Sequence, residues 1–122
     1  MAWLQDEDGA PVVVEAIGAG ATISVVNWAE VLSKVAEAGK EPETLIAELA
    51  DLGVDDRTLP IAPITNGDCI EMARLRPVTK PQGLSLADRA CLALAARLGV
   101  PALTTDRAWR DADVDAEVKL IR

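Results

Sequence analysis

The sequence contains no histidine among its 122 residues, and this absence excludes several kinds of active site. Ser-His-Asp and Cys-His catalysis need an imidazole, as do histidine general bases and the common zinc sites. Any catalytic chemistry must therefore come from carboxylates, hydroxyls, arginine or lysine. Tyrosine and phenylalanine are also absent, so the aromatic side chains are those of three tryptophans.

Cysteine and long apolar runs are scarce as well. Cys69 and Cys91 lie far apart in two apolar helical patterns, so we expect two buried reduced thiols and no zinc or redox motif. No run approaches the ~18 uninterrupted apolar residues that a membrane-spanning helix requires. The first residues, MAWLQDEDG, lack the basic and apolar regions of a signal peptide. We expect one cytoplasmic domain over residues 1–122, without membrane attachment.

Positive charge is in short supply, because 12 Lys and Arg face 20 Asp and Glu, a net charge of -8. Residues 1–60 hold 12 acids and 3 bases, whereas residues 61–122 hold 8 acids and 9 bases. The acidic half suits a basic protein partner. The other half offers the cations that nucleic acid binding would need, namely Arg74, Arg76, Lys80, Arg89, Arg97, Arg107 and Arg110.

Short apolar runs alternate with amphipathic ones along the chain. β-branched and apolar runs predict strands at 21–26, 57–64, 101–105 and 118–122, the second at an edge because of its prolines. Helical spacing predicts helices at 27–39, 41–53, 65–77 and 85–98, with Pro77 ending the third and a loop after it. This alternation predicts an α/β sandwich with a mainly parallel sheet flanked by helices. The segment 10–20 fits a strand or a helix.

Two aspartates stand at either end of the apolar run from Ser85 to Leu98 and its following strand. The predicted helix extends about 21 Å at ~1.5 Å per residue, and the strand returns about 16 Å at ~3.3 Å per residue. Asp88, in the first helical turn, and Asp106, just past the strand, should therefore share one edge of the domain. Glu30 reaches that edge in the first turn after its own strand. Open α/β sheets bind their ligands at this carboxyl edge.

Each of these acids also has a structural interpretation. Ser85 and Asp88 have the spacing of a capping box, Asp106 suits an N-cap, and Glu30 has an i,i+4 partner in Lys34. Taken together, three neighbouring carboxylates without an interposed base repel one another, and a divalent cation would relieve that repulsion.

The predicted cluster contains only oxygen ligands, which favour Mg²⁺ or Mn²⁺ over zinc. Such ions serve phosphoryl chemistry by generating hydroxide and neutralising the charge of a phosphodiester. Thr104 and Thr105 add hydroxyls beside Asp106 that could orient a carboxylate or water. At least one of the two threonines is expected to be an ordinary strand residue.

Three segments, ISVVNWAEVLSKVAEAG, GLSLADRACLALAARLGVPALTTDRAW and VKLIR, resemble PIN-domain proteins of the VapC type, the ribonuclease toxins of bacterial toxin-antitoxin pairs. The resemblance covers nearly the whole chain, through Asn-x-x-Glu, Leu-x-x-x-Asp-Arg and Thr-x-Asp-Arg-x-Trp elements in that order. It implies Mg²⁺- or Mn²⁺-dependent cleavage of RNA, a homodimer, a cognate antitoxin that blocks the site, and a helix over 10–20. It also implies catalytic metal ligands at Glu30, Asp88 and Asp106, with Asn27 and Thr104 in supporting positions.

The resemblance lacks its first element. Proteins of this family open with a strand that ends in an aspartate, followed by a helix that often contains AWL, and MAWLQDEDG resembles that helix. We therefore expect the N-terminal strand and its acid to lie upstream of Met1, and we do not assign that role to Asp6 or Asp8. With three carboxylates in place of four, the chain beginning at Met1 is expected to cleave RNA weakly or not at all.

Two alternatives of other function classes remain open. One is a noncatalytic PIN-fold protein that dimerises or binds an antitoxin. In either case the dimer and antitoxin surfaces are predicted on the apolar helices near Trp3, Trp28 and Leu45, with core packing as the alternative role of each tryptophan. The other is a phosphoacceptor domain of receiver type. The receiver alternative is the weaker one, because no lysine just after a predicted strand is placed to contact a phosphoryl group.

Overall fold

The computed structural model describes residues 21–104, residue 109 and residues 118–120. Strands are β1 (Ile23–Ser24), β2 (Ile61–Ala62), β3 (Ala102–Thr104) and β4 (Val118–Leu120). Helices are α1 (Val25–Glu37), α2 (Pro42–Asp51), α3 (Asn66–Thr79) and α4 (Leu86–Leu98), with a 3-10 turn at Lys80–Gln82. Several residues of the sequence predictions lie outside this part of the chain: Trp3, Asp6, Asp8, the segment 10–20, Thr105, Asp106, Arg107 and Arg110.

All the described strands pair in parallel. β1 pairs with β2, where Ile23 lies opposite Ile61, and β3 pairs with β4 over three residues each. Within the described ranges these are two separate two-stranded sheets. Helices alternate with the strands along the chain. The predicted α/β class with parallel strands is therefore confirmed.

The first strand is shorter than the β-branched run predicts, because Ser24 ends it. Ser24 has extended backbone angles (φ -71°, ψ 152°), and its hydroxyl accepts a hydrogen bond from the N–H of Asn27. An N-cap serine of this kind starts a helix, so Val25 and Val26 belong to α1 rather than to the strand. β2 is confined to two residues, because Pro60 and Pro63 on either side of it have no N–H to donate.

The expected end of α3 at Pro77 is wrong, because the helix continues to Thr79. Proline removes one N–H, but packing on α4 outweighs that loss: Met72, Leu75 and Thr79 form a buried stripe at helical spacing. The Thr79 hydroxyl also donates to the Leu75 carbonyl at 2.6 Å. The chain then turns at Gly83, whose positive φ of 69° favours glycine.

The core surrounds α4, whose small residues Ala90, Ala93 and Ala95 are buried and allow close packing. A second cluster joins α1 to α2 through Val31, Leu45 and Leu49, with Trp28 half-buried against it. The largest cluster combines α3, α4, β3 and the chain around them: Leu75, Leu84, Leu92, Ala95, Ala102 and Trp109.

The two cysteines differ in burial. Cys91 packs against the largest core cluster and is half-buried, whereas Cys69 is exposed. The expectation of two buried thiols is therefore wrong for Cys69, which lies outside the buried stripe of α3. Both thiols are free. No helix in the described ranges is both long and apolar enough to cross a membrane.

Hydrogen bonds and an ion pair connect α3 to α4 and to the turn between them, and the two helices pack antiparallel. Arg97, near the end of α4, binds the buried Asp68 near the start of α3, with 2.9 Å between Arg97 Nε and Asp68 Oδ1. At the opposite end, the N–H of Leu84 donates to the Thr79 carbonyl at 3.4 Å. Between these ends the buried Arg89 donates through Nη1 to the Met72 carbonyl at 2.9 Å.

Candidate functional site

Asp88 lies in the first turn of α4, and the capping box predicted for it is present. The Ser85 hydroxyl accepts from the Asp88 N–H at 3.1 Å, and the Ser85 N–H donates to Asp88 Oδ2 at 2.9 Å. Among the described residues, Asp88 Oδ1 accepts no hydrogen bond. The structural interpretation of Asp88 is therefore correct, and it leaves one carboxylate oxygen for a ligand.

Asn27 joins the first turn of α1 to the first turn of α4. Its side-chain Nδ2 donates to the Ala87 carbonyl at 2.9 Å, and Ala87 immediately precedes Asp88. The same side chain accepts a hydrogen bond through Oδ1 from the Ser24 hydroxyl at the end of β1. Asn27 thus fixes the turn that contains Asp88 against the start of α1, one helical turn before Glu30.

Glu30 lies three residues after Asn27 and is half-buried. It is in the second turn of α1 and not in the first, as predicted, because the helix begins at Val25, directly after the Ser24 cap. Its predicted partner Lys34 is present, with 3.9 Å between Lys34 Nζ and Glu30 Oε1. A pair at that distance between partly exposed side chains contributes little to stability, so it does not commit the Glu30 carboxylate to a structural role.

Two of the predicted site residues are at the margin of the described chain. Thr104 is the last residue of β3, and Asp106 lies outside the described residues. Of the three predicted metal ligands, the structure therefore describes Glu30 and Asp88. In the part of the chain that the structure describes, no group of three or more His, Cys, Asp or Glu side chains is placed to hold a metal ion.

Cys91 is one helical turn beyond Asp88, and its thiol stays protonated at neutral pH. Burial raises the pKa of the Cys91 thiol to about 11, and the negative charge of Asp88 adds to the shift. A protonated thiol is a poor nucleophile.

Sequence analysis missed a second acid of this kind, Asp68, in the first turn of α3. Thr65 and Asp68 form a capping box with the same spacing as Ser85 and Asp88, so the Thr-x-x-Asp pattern could have revealed it. Burial opposes ionisation of Asp68, but bonds from the Thr65 N–H, the Arg97 guanidinium and the Thr65 hydroxyl hold its pKa below the usual value. Asp68 therefore carries a paired, structural charge.

A comparison with protein families decides what kind of domain this is. The family model described as the PIN domain matches residues 1–115. The chain belongs to the PIN-domain family. Comparisons with curated proteins and with solved structures find no match. The alternative of a receiver-type phosphoacceptor domain is therefore wrong. Membership of the PIN-domain family agrees with the α/β fold and its parallel strands.

PIN domains are generally nucleases that use divalent metal ions. Carboxylate oxygens suit such an ion, because they are ligands that favour Mg²⁺ and Mn²⁺. Glu30 and Asp88 supply these carboxylates from two helices whose first turns are linked by Asn27. The donor chemistry of the described residues therefore fits the metal that the family uses.

Proposed function

We propose that this PIN domain is the toxin of a type II toxin-antitoxin pair, a cytoplasmic, metal-dependent endoribonuclease that hydrolyses RNA phosphodiester bonds. Glu30, Asp88 and Asp106 would bind Mg²⁺ or Mn²⁺, with Asn27 and Thr104 supporting them. The observation that carries this proposal is the hydrogen bond from Asn27 to the Ala87 carbonyl. That bond holds the turn containing Asp88 against the helix containing Glu30.

A bound divalent ion would supply hydroxide from water and neutralise charge on the scissile phosphodiester. Residues of the first turn of α4 would hold one of the metal-binding carboxylates in place. The Ser85 N–H orients the Asp88 carboxylate by binding Oδ2, which leaves Oδ1 for the ion. Cys91, one turn further along α4, packs against the largest core cluster.

Cleavage of RNA by three amide variants tests the proposal. Glu30→Gln, Asp88→Asn and Asp106→Asn keep side-chain shape and remove charge. In a preparation that cleaves RNA with Mn²⁺, each should therefore lower the cleavage rate by about 100-fold or more. Glu37→Gln is the matched control, because Glu37 is an exposed acid at the far end of the same helix as Glu30. Its rate should equal that of the wild type. Full cleavage by all three amide variants would contradict the nuclease proposal.

Binding of an antitoxin is the second function that a specific feature favours. An apolar groove of about 290 Å³ lies between α1, α2 and the β1–β2 pair. Ile46 and Ile61 are 45% and 40% exposed at this groove. Of the residues predicted to mark a partner surface, Trp28 lines the groove, whereas Leu45 is buried in the core behind it.

The charge of the groove indicates the chemistry of its occupant. Asp55 and Asp56 line it beside the apolar side chains, in the half of the sequence where acids outnumber bases 12 to 3. We propose that it binds a segment of the antitoxin that presents apolar side chains to Ile46 and Ile61 and Lys or Arg to the two aspartates.

Co-expression with the product of the adjacent gene, followed by affinity measurement, tests this partner. Ile46→Asp should weaken the complex at least about tenfold by placing a charge in the apolar contact. Leu52→Asp is the control, since Leu52 is 77% exposed at the end of α2 and does not line the groove. We also propose that the protein is a homodimer, and light scattering measures this state. If Ile46→Asp dissociates the dimer and leaves the affinity for the antitoxin unchanged, the groove binds a second copy of the chain, and the antitoxin proposal is wrong.

A further inference from the structure

Two exposed cations lie next to each other at the end of α3. Arg76 and Lys80 are four residues apart, and Lys80 keeps helical backbone angles (φ -58°, ψ -43°). Residues at i and i+4 are neighbours on a helix surface, and two like charges in that arrangement repel each other. The helix dipole favours cations at this C-terminal end, and a bound anion would in addition relieve the repulsion between the two charges.

No acid in the described residues neutralises the pair. The ion pairs within the described ranges involve other cations, namely Lys34 with Glu30, Lys40 with Glu48, and Arg97 with Asp68. Arg89 is buried against a backbone carbonyl and is unavailable to a ligand at the surface. Arg76 and Lys80 are thus exposed charges that the described protein leaves without a counter-ion.

The antiparallel packing of α3 on α4 brings the pair to the same end of these two helices as Asp88. Arg97 and Asp68 mark one end of the helix pair. Lys80 begins the short turn that leads through Gly83 to Ser85, the cap of α4, at the other end. A phosphate chain that reaches Asp88 from this end of the helix pair would run past the end of α3.

We propose that Arg76 and Lys80 bind phosphates of the RNA strand next to the scissile phosphodiester. This inference rests on the proposed nuclease function and adds the surface that holds the substrate. Carboxylates repel the RNA backbone, so a site built from them needs cations nearby to keep the strand in place. Contacts of this kind position the backbone without reading its sequence.

Binding of a fluorescein-labelled oligouridylate, measured by anisotropy in EDTA, tests the pair separately from cleavage. The double variant Arg76→Ala/Lys80→Ala should bind about tenfold more weakly, and the slope of log Kd against log salt should fall by about 1.4, which corresponds to two lost phosphate contacts. Arg76→Lys keeps the charge and should retain the wild-type affinity.

Arg57→Ala is the matched control. Arg57 is also exposed and has no ion pair within the described ranges, but it lies beside Asp55 and Asp56 on another part of the surface. Its affinity and salt slope should equal those of the wild type. An unchanged salt slope in the double variant, or an equal loss in Arg57→Ala, would overturn the proposal.

The metal-free assay also separates this inference from the proposed nuclease activity. RNA binding that depends on Arg76 and Lys80, in a protein whose cleavage does not depend on Glu30, Asp88 and Asp106, supports the binding surface and contradicts the metal site. In a cleaving preparation with Mn²⁺, the double variant should raise KM and leave kcat unchanged, because the pair binds the strand away from the reacting atoms. A fall in kcat at unchanged KM would contradict the positioning role.

Discussion

The first turns of α3 and α4 are built in the same way and differ in what surrounds them. Thr65 and Asp68 exchange two hydrogen bonds of 3.0 and 3.1 Å, and Ser85 and Asp88 exchange two of 2.9 and 3.1 Å. Both aspartates satisfy backbone N–H groups that an α-helix leaves free at its start. Local geometry therefore gives no reason to assign the two acids different roles.

The difference lies in the neighbouring side chains. Asp68 is 2% exposed, and Arg97 Nε lies 2.9 and 3.2 Å from its two carboxylate oxygens. Asp88 is half-buried and has no ion pair within the described ranges. A capping box thus fixes the direction of a carboxylate without deciding its use. The use depends on whether a cation of the protein already occupies the remaining oxygens.

The largest expected difference between the two acids is in metal binding and cleavage. Asp88→Asn should abolish the rise in melting temperature that Mn²⁺ produces in the wild type, because a ligand that binds only the folded state stabilises it. It should also lower RNA cleavage by about 100-fold or more. Asp68→Asn should melt at a lower temperature and keep the full Mn²⁺-dependent rise.

Differential scanning fluorimetry with and without Mn²⁺ makes this comparison on both variants. An Asp88→Asn protein with an undiminished Mn²⁺-dependent rise would show that Asp88 is only a cap. If Asp68→Asn loses that rise, the two turns do not have separate roles and the comparison is wrong.

For the stability of the folded protein we expect the reverse, with a larger loss in Asp68→Asn than in Asp88→Asn. Asp68→Asn removes the charge that Arg97 binds and weakens a capping box, which we expect to lower the free energy of unfolding by about 2 kcal/mol. The loss stays below that of a fully buried pair because the Arg97 side chain is 38% exposed and can be hydrated. Asp88→Asn should lower it by less than about 1 kcal/mol. Urea unfolding of both variants measures the difference, and a larger loss in Asp88→Asn would contradict it.

The pH dependence of stability should also separate the two turns. The pKa of Asp68 is held below its usual value in the folded protein, so its contribution is complete above the pKa of an unfolded aspartate and is lost as pH falls through the lower folded value. The stability difference between wild type and Asp68→Asn should therefore be largest near neutral pH and shrink towards about pH 3. Urea titrations at several pH values measure this, and a difference that grows in acid would contradict it.

The sequence was sufficient to predict the helices, the parallel strands and the capping box at Ser85, because these depend on spacing within one segment. It did not predict the short β1 or the continuation of α3 past Pro77, since a buried cap and packing on another helix decide them. Asp68 and Asp88 follow the same Thr/Ser-x-x-Asp pattern. The role of Asp68 depends on Arg97, 29 residues further along the chain, and no local pattern contains that contact.

The smallest expected effect tests whether the two turns are truly alike at the level of the cap. Thr65→Ala and Ser85→Ala each remove a hydroxyl that accepts from an aspartate N–H, and each should lower the free energy of unfolding by about 1 kcal/mol. The bond from the Ser85 N–H to Asp88 Oδ2 is unaffected by the change, so Ser85→Ala should still bind Mn²⁺ and cleave RNA. Equal losses in urea unfolding would show that Arg97, and not the cap, separates the two acids. A loss of cleavage in Ser85→Ala would instead give the serine hydroxyl a part in the site.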